Sequence, residues 1–231
     1  MPETILITGA NRGIGLELTR VFAGNGWQVI AGCRQPGQAD NLKEVAENNK
    51  KVRVYALDVN DDQAISRLSE GLHDQAIDIL FNNAGIFGPQ EQGFGATDSE
   101  AWLQVMRTNV VAPLKMAEAF IEQVAASRRK VIASVGSMMG SLTDNTSGGY
   151  YVYRTSKAAV HMVMKSLSVD LKERGVTSVV FHPGWVRTDM GGPQAPTSPE
   201  ESADGLFRVL TGLEEKDNGS FLTFEGKQLP W

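Results

Sequence analysis

The chain has 231 residues, 42% of them hydrophobic and 21% charged, with a net charge of −5 and one cysteine, Cys33. That excludes an internal disulfide and a cysteine-based zinc site, and the three dispersed histidines, His73, His161 and His182, offer no metal cluster. The acidic balance, the lack of any run of roughly 18 apolar residues and a start without signal-peptide character argue against nucleic acid, a membrane span and export. A single cytoplasmic domain over 1–231 is the expectation, large enough to be stable without a metal or other staple.

Short apolar runs at 4–8, 28–33, 52–57, 77–82, 130–135, 177–182 and 220–223 are predicted strands. Most are continuous in Val, Ile and Leu, as in parallel strands buried on both faces. Amphipathic stretches at 13–25, 41–48, 62–72, 99–126, 151–174 and 199–213 are predicted helices. Gly26 and Gly175 mark helix ends, and Ser198-Pro199-Glu200-Glu201 marks a start. The alternation gives an α/β class: one Rossmann-like, doubly wound parallel sheet of about seven strands flanked by helices. Loops 83–98, 136–150 and 184–198 each follow a strand and so lie along the carboxyl edge, where such sheets bind ligands. Glycine makes up about 10% of the chain against a usual level of about 7%. Fourteen of the 24 follow the first, fourth, fifth and sixth strands, which predicts an active-site rim there.

The first strand runs into Thr8-Gly9-Ala10-Asn11-Arg12-Gly13-Ile14-Gly15 and then a helix. Gly9 permits a tight turn, Gly13 lets backbone approach a pyrophosphate and Gly15 lets helix and strand pack closely, with the anion at the helix N-terminus. The TGxxxGxG spacing resembles the short-chain dehydrogenase/reductase family. The second strand ends at Gly32-Cys33-Arg34, so Cys33 stands where NAD-binding sheets carry a ribose-binding acid. A guanidinium at Arg34 suits a 2′-phosphate, Arg12 can reach the same group, and NADP(H) is favoured over NAD(H); the alternative is a solvated Arg34. Tyr153 and Lys157 lie on one helix face at i, i+4, and a nearby ammonium lowers the phenol's pKa. His182 is expected to pack at a strand end, and Met138-Met139 either lines an apolar pocket or belongs to the core.

The family resemblance implies further roles. Asp58-Val59 contacts the adenine, and Asn83-Ala84-Gly85 of the NNAG motif braces the sheet and lines the cofactor path. Asn109 holds a water in a proton relay. Ser137 completes the catalytic set with Tyr153 and Lys157, Ser134 being the second choice; Ser137 and Tyr153 are 16 positions apart, longer than is common in the family. Pro183, Gly184, Val186 and Thr188 match the segment that contacts the nicotinamide, and 184–198 forms a substrate lid.

Within the family, Gly148 to Lys157, His182 to Trp185, Asp189 to Pro193 and the ending Gly226-Lys227…Leu229-Pro230-Trp231 are most similar to the C-factor-like and sniffer-like group related to carbonyl reductases. The implied function is an NADPH-dependent carbonyl reductase, reversibly an alcohol dehydrogenase, acting on a small carbonyl or alcohol. The competing reading is a non-catalytic NADP-binding regulator or signalling protein on the same fold. An extended-type sugar-nucleotide epimerase conflicts with the glycine spacing. Segments 99–126 and 151–174 resemble helices through which many relatives pair, so a homodimer or tetramer is open beside a monomer.

Overall fold

A computed structural model describes residues 2–231. Seven parallel strands form one sheet: β1 (Thr4–Thr8), β2 (Gln28–Cys33), β3 (Val52–Ala56), β4 (Ile79–Asn82), β5 (Val131–Val135), β6 (Thr177–His182) and β7 (Phe221–Thr223). Their spatial order is β3-β2-β1-β4-β5-β6-β7, so the chain reverses direction across the sheet between β1 and β4. The helices are α1 (Gly13–Gly24), α2 (Asp40–Asn48), α3 (Asp62–Gly71), α4 (Ser99–Met106), α5 (Ala112–Ala125), α6 (Tyr151–Asp170) and α7 (Pro199–Gly212).

Side chains alternate along each strand to opposite faces, and both faces are covered, which is why the strands read as continuous apolar runs. Ile5, Ile7, Val29, Ala31, Ile79 and Phe81 enter one core with residues of α1 and α7. Leu6, Ile30, Leu80, Ile132 and Val180 enter the other with residues of α3, α5 and α6. In the first core Phe22 meets Trp27 and Phe207 edge-on, at centroid distances of 5.0 and 4.9 Å.

The predicted helix 99–126 is not uniform. Between α4 and α5 it widens into a π-turn over Arg107–Val111. Pro113 lies just beyond it and has no N–H, so the regular ladder cannot continue through this point. Lys172–Arg174, predicted as the end of the helix at 151–174, is a separate 3₁₀ turn that stops at Gly175 (φ +69°). Strand limits at β3, β4, β5 and β7 move inward by one or two residues.

Candidate active site

Cleft and glycine turn. The carboxyl ends of β1 and β4 meet at the switch point, where Thr8 fastens the two strands. Its buried Oγ1 accepts from the backbone N–H of Asn83 and of Ala84, both at 3.0 Å. Asn83 returns the contact through Nδ2 to the carbonyls of Thr8 (2.9 Å) and Gly9 (3.1 Å). Gly9 and Gly13 adopt φ of +65° and +53°. Gly15 is required by contact: a Cβ there would fall 2.3 Å from the Gly9 carbonyl oxygen and 2.5 Å from Asn83 Nδ2. The close packing expected of Gly15 is therefore against the glycine turn itself. No side chain caps α1, so its first N–H groups face the cleft without a side-chain partner.

A cleft of about 1490 Å³ runs along this edge. Gly9, Asn11, Arg12, Gly13 and Ile14 line one end together with Cys33 and Arg34 from β2 and Asp58 and Val59 beyond β3. Asn83, Ala84 and Gly85 form its floor, and Ser137, Tyr153 and Lys157 line the other end with Pro183, Gly184, Val186 and Thr188. Two predicted residues, Gly15 and Asn109, do not line it. Residues of all three long loops do, as their position after strands requires.

Tyrosine, lysine and serine. α6 carries Tyr153 and Lys157, both buried, on successive turns. Ser137 follows β5, buried, with its Oγ accepting the Met139 N–H at 3.1 Å, and it lines the same end of the cleft as Tyr153. Ser134 is excluded from this cluster: it lies within β5, buried, with its hydroxyl on Met164 Sδ at 3.2 Å. Burial pushes the Tyr153 phenol up to about 12, with the Ser137 hydroxyl pulling the other way. Burial also brings Lys157 down to about 8. Its ammonium donates to the Val135 carbonyl at 2.8 Å and stands 5.5 Å from the centre of the Tyr153 ring. The expected lowering of the phenol by the lysine is thus overturned: desolvation dominates, and Tyr153 is a protonated phenol at neutral pH.

His161, one turn beyond Lys157, supports Ser137 from behind. Its Nε2 accepts the Ser137 backbone N–H at 3.3 Å, which leaves the proton on Nδ1, buried without a partner. The ring is packed against Phe221 and Trp231, and burial brings its pKa down to about 3. His182 borders the cleft at the end of β6, also with an unpartnered Nδ1 and a pKa lowered by burial to about 4. Both imidazoles are neutral over the ordinary range.

Asn109 and the cleft mouth. Asn109 sits in the π-turn. Its Oδ1 accepts the Ile86 N–H at 2.9 Å, and its Nδ2 donates to the Ile86 carbonyl at 2.8 Å and to Ser156 Oγ at 3.0 Å. The side chain is fully used in tying loop 83–98 to α6. Arg12 is turned to the segment after β6, where Nη1 pairs with Asp189 at 2.6 Å, while Arg34 is exposed at the cleft margin. Met138 and Met139 both line the cleft, and Met138 also packs against the core formed with α3, α5 and α6, so both expectations hold for it.

Relatives. The family model described as short chain dehydrogenase matches residues 3–198. The chain belongs to the short-chain dehydrogenase family. This family member is 39% identical over 155 residues to C-signal of Myxococcus xanthus, covering 67% of this chain and 93% of that one. It superposes on the carbonyl reductase Sniffer of D. melanogaster with a TM-score of 0.94 at 36% identity, over 100% of both chains. The NADPH-bound carbonyl reductase from chicken fatty liver superposes with a TM-score of 0.91 at 33% identity, over 100% of this chain and 99% of that one.

Several cleft residues of this dehydrogenase have no local mark in its sequence. Phe87 lies 4.7 Å from the Tyr153 ring, centre to centre, and Tyr150 meets Phe87 edge-on at 5.9 Å. Tyr150 is left-handed (φ 49°, ψ 41°), an uncommon state for a bulky residue, and opens α6 three positions before Tyr153. The preceding Gly148-Gly149 pair was the available signal of an unusual turn there. Phe87 had none.

Proposed function

We propose that this protein is an NADPH-dependent carbonyl reductase, working reversibly as an alcohol dehydrogenase. The observation that carries the reading is the gathering of Ser137, Tyr153 and, on the next turn, Lys157 at one end of a cleft whose other end is an uncapped glycine turn. The cofactor fits that turn: α1 offers free N–H groups and the positive end of its dipole to a pyrophosphate. Cys33 in place of an acid, followed by Arg34, suits the 2′-phosphate of NADP(H). The NADP-bound carbonyl reductases that superpose on this chain support the same choice.

When bound, NADPH supplies a hydride to the carbonyl carbon. Tyr153 donates its phenolic proton to the carbonyl oxygen as that oxygen gains charge, so hydride and proton together give the alcohol. The raised phenol pKa keeps that proton in place at neutral pH. Ser137 donates a hydrogen bond to the same oxygen. By family resemblance Lys157 holds the nicotinamide ribose. Pro113 deprives a carbonyl of the preceding turn of its helical donor: that of Asn109 in an α-helix, of Thr108 in a π-helix. We assign the relay water to this free backbone oxygen, since the Asn109 side chain is already committed. Phe87, Met138, Met139, Trp185 and Met190 around the reacting end carry no charge and favour an apolar carbonyl substrate.

The identity to C-signal supports a second reading, an NADP-binding signalling protein without turnover. Purified protein offered NADPH and a panel of carbonyls, α-diketones and quinones included, separates the two. Consumption of NADPH is expected, with Tyr153→Phe losing turnover while NADPH still quenches the protein's fluorescence. Binding without turnover in the wild-type protein leaves the signalling reading; full activity in Tyr153→Phe removes the proposed proton donor.

A further inference from the structure

Gln92 lies in the loop between β4 and α4, 61 positions before Tyr153, and is 2% exposed. Every polar atom of its side chain is used. Oε1 accepts the backbone N–H of Tyr153 at 2.8 Å. Nε2 donates to the carbonyl of Phe87 at 3.0 Å and to that of Pro89 at 2.7 Å. Its own backbone carbonyl accepts the N–H of Tyr151 at 3.0 Å.

The two N–H groups it receives belong to the first turn of α6, which has no other use for them. Tyr150, at the N-cap position, is left-handed and makes no side-chain cap. The catalytic helix is therefore capped from a distant loop. The same amide fixes the segment that carries Phe87, whose ring faces Tyr153. Asn109 clamps the residue before it, Ile86, by both backbone groups. An aspartate or serine is the ordinary N-cap. A neutral amide has the added property of donating to two carbonyls while placing no charge beside the phenol.

We infer that Gln92 is a positioning residue: its acceptor sets the height of Tyr153 in the cleft, and its donors set the Phe87 wall against which the carbonyl substrate lies. This rests on the reductase reading for its catalytic consequence. The two halves of the amide act on different kinetic constants. Losing the acceptor shifts Tyr153 relative to the reacting oxygen and lowers kcat. Losing only the donors loosens the wall and raises KM for the carbonyl.

Gln92→Leu keeps the approximate volume and removes both functions; Gln92→Glu keeps an acceptor. The expected result for Gln92→Leu is a kcat lower by at least about tenfold, since small misplacements of reacting groups are costly. NADPH affinity should stay within about twofold, because the glycine turn is untouched. Amide hydrogen exchange at Tyr151–Tyr153 should accelerate. Gln92→Glu should recover most of kcat, retain slow exchange at Tyr153, and raise the carbonyl KM several-fold. It also carries the test if Gln92→Leu does not fold. Unchanged exchange at Tyr151–Tyr153 in Gln92→Leu overturns the capping role, and faster exchange with unchanged kcat and KM overturns the positioning role. Absence of carbonyl turnover in the wild-type protein overturns the reductase reading instead, and the exchange measurement is independent of it.

Discussion

Arg34 follows the last residue of β2 at the exposed margin of the cleft, and Cys33 beside it is buried. Arg12, the other expected phosphate ligand, pairs with Asp189 across the cleft mouth, both side chains being largely exposed. An exposed pair of this kind contributes little to stability, so Arg12 can exchange partners at small cost. Arg34 has no such competitor among the described residues, and we propose that it carries the selectivity. Arg34→Asp replaces a charge-assisted bond by repulsion, and NADPH should lose roughly 10-fold to 100-fold in kcat/KM. NADH should be little affected, and an unchanged NADPH-to-NADH ratio would remove Arg34 from the 2′-phosphate site.

The proposed catalytic residues are held by elements that meet at strand ends. At the switch point the ends of β1 and β4 are fastened by the Thr8 hydroxyl together with the Asn83 amide. Thr8→Val keeps the shape and leaves two N–H groups without their acceptor, which should cost about 2 kcal/mol in denaturant unfolding. The NADPH KM should rise with it, because the glycine turn begins at the next residue; Thr8→Ser should restore both. If Thr8→Val were as stable as the parent, the hydroxyl would not be the fastening. On the other side, Gly136 and Gly140 let α6 press against the loop after β5. A Cβ at Gly136 would fall 2.3 Å from Val180 Cγ1 and 2.5 Å from His161 Nε2, and one at Gly140 would fall 2.7 Å from the Lys157 backbone. These two glycines were expected on the rim for the sake of a ligand. Their reason is internal: they bring Ser137 within reach of Tyr153. Gly93, Gly95, Gly148 and Gly149 meet open space instead.

Across the whole molecule, two neutral histidines, His161 buried and His182 half-buried, link the site to stability. His161 and His182 have folded pKa values lowered to about 3 and about 4, against an ordinary value of 6.5. Between these limits the unfolded chain binds more protons than the folded one, so stability falls as pH drops below about 6.5. Each histidine adds up to about 1.4 kcal/mol per pH unit to that slope. Between pH 6.5 and 5 most carboxylates are still ionised, and the histidines dominate. His161→Gln, which keeps an acceptor for the Ser137 N–H, should lose about half of the slope in denaturation curves. An unaltered slope would mean that His161 is not the acid-sensitive group.

The sequence by itself determined the α/β class, the seven strands in order, the glycine turn and the pairing of Tyr153 with Lys157. These depend on local pattern: continuous apolar runs for strands buried on both faces, glycine after β1 and i, i+4 spacing on a helix. It also named Ser137 ahead of Ser134 through the family resemblance. Tertiary structure decided what depends on distant partners. It turned Arg12 to Asp189, put the π-turn and Pro113 between α4 and α5, and spent the Asn109 side chain on Ile86 and Ser156. It also set the Tyr153 pKa by burial rather than by Lys157. Gln92 is the sharpest case, since the segment Gln90-Glu91-Gln92 offers no local reason to prefer one glutamine over the other. Only the fold places one of them beneath the catalytic helix, where a buried N–H must find an acceptor.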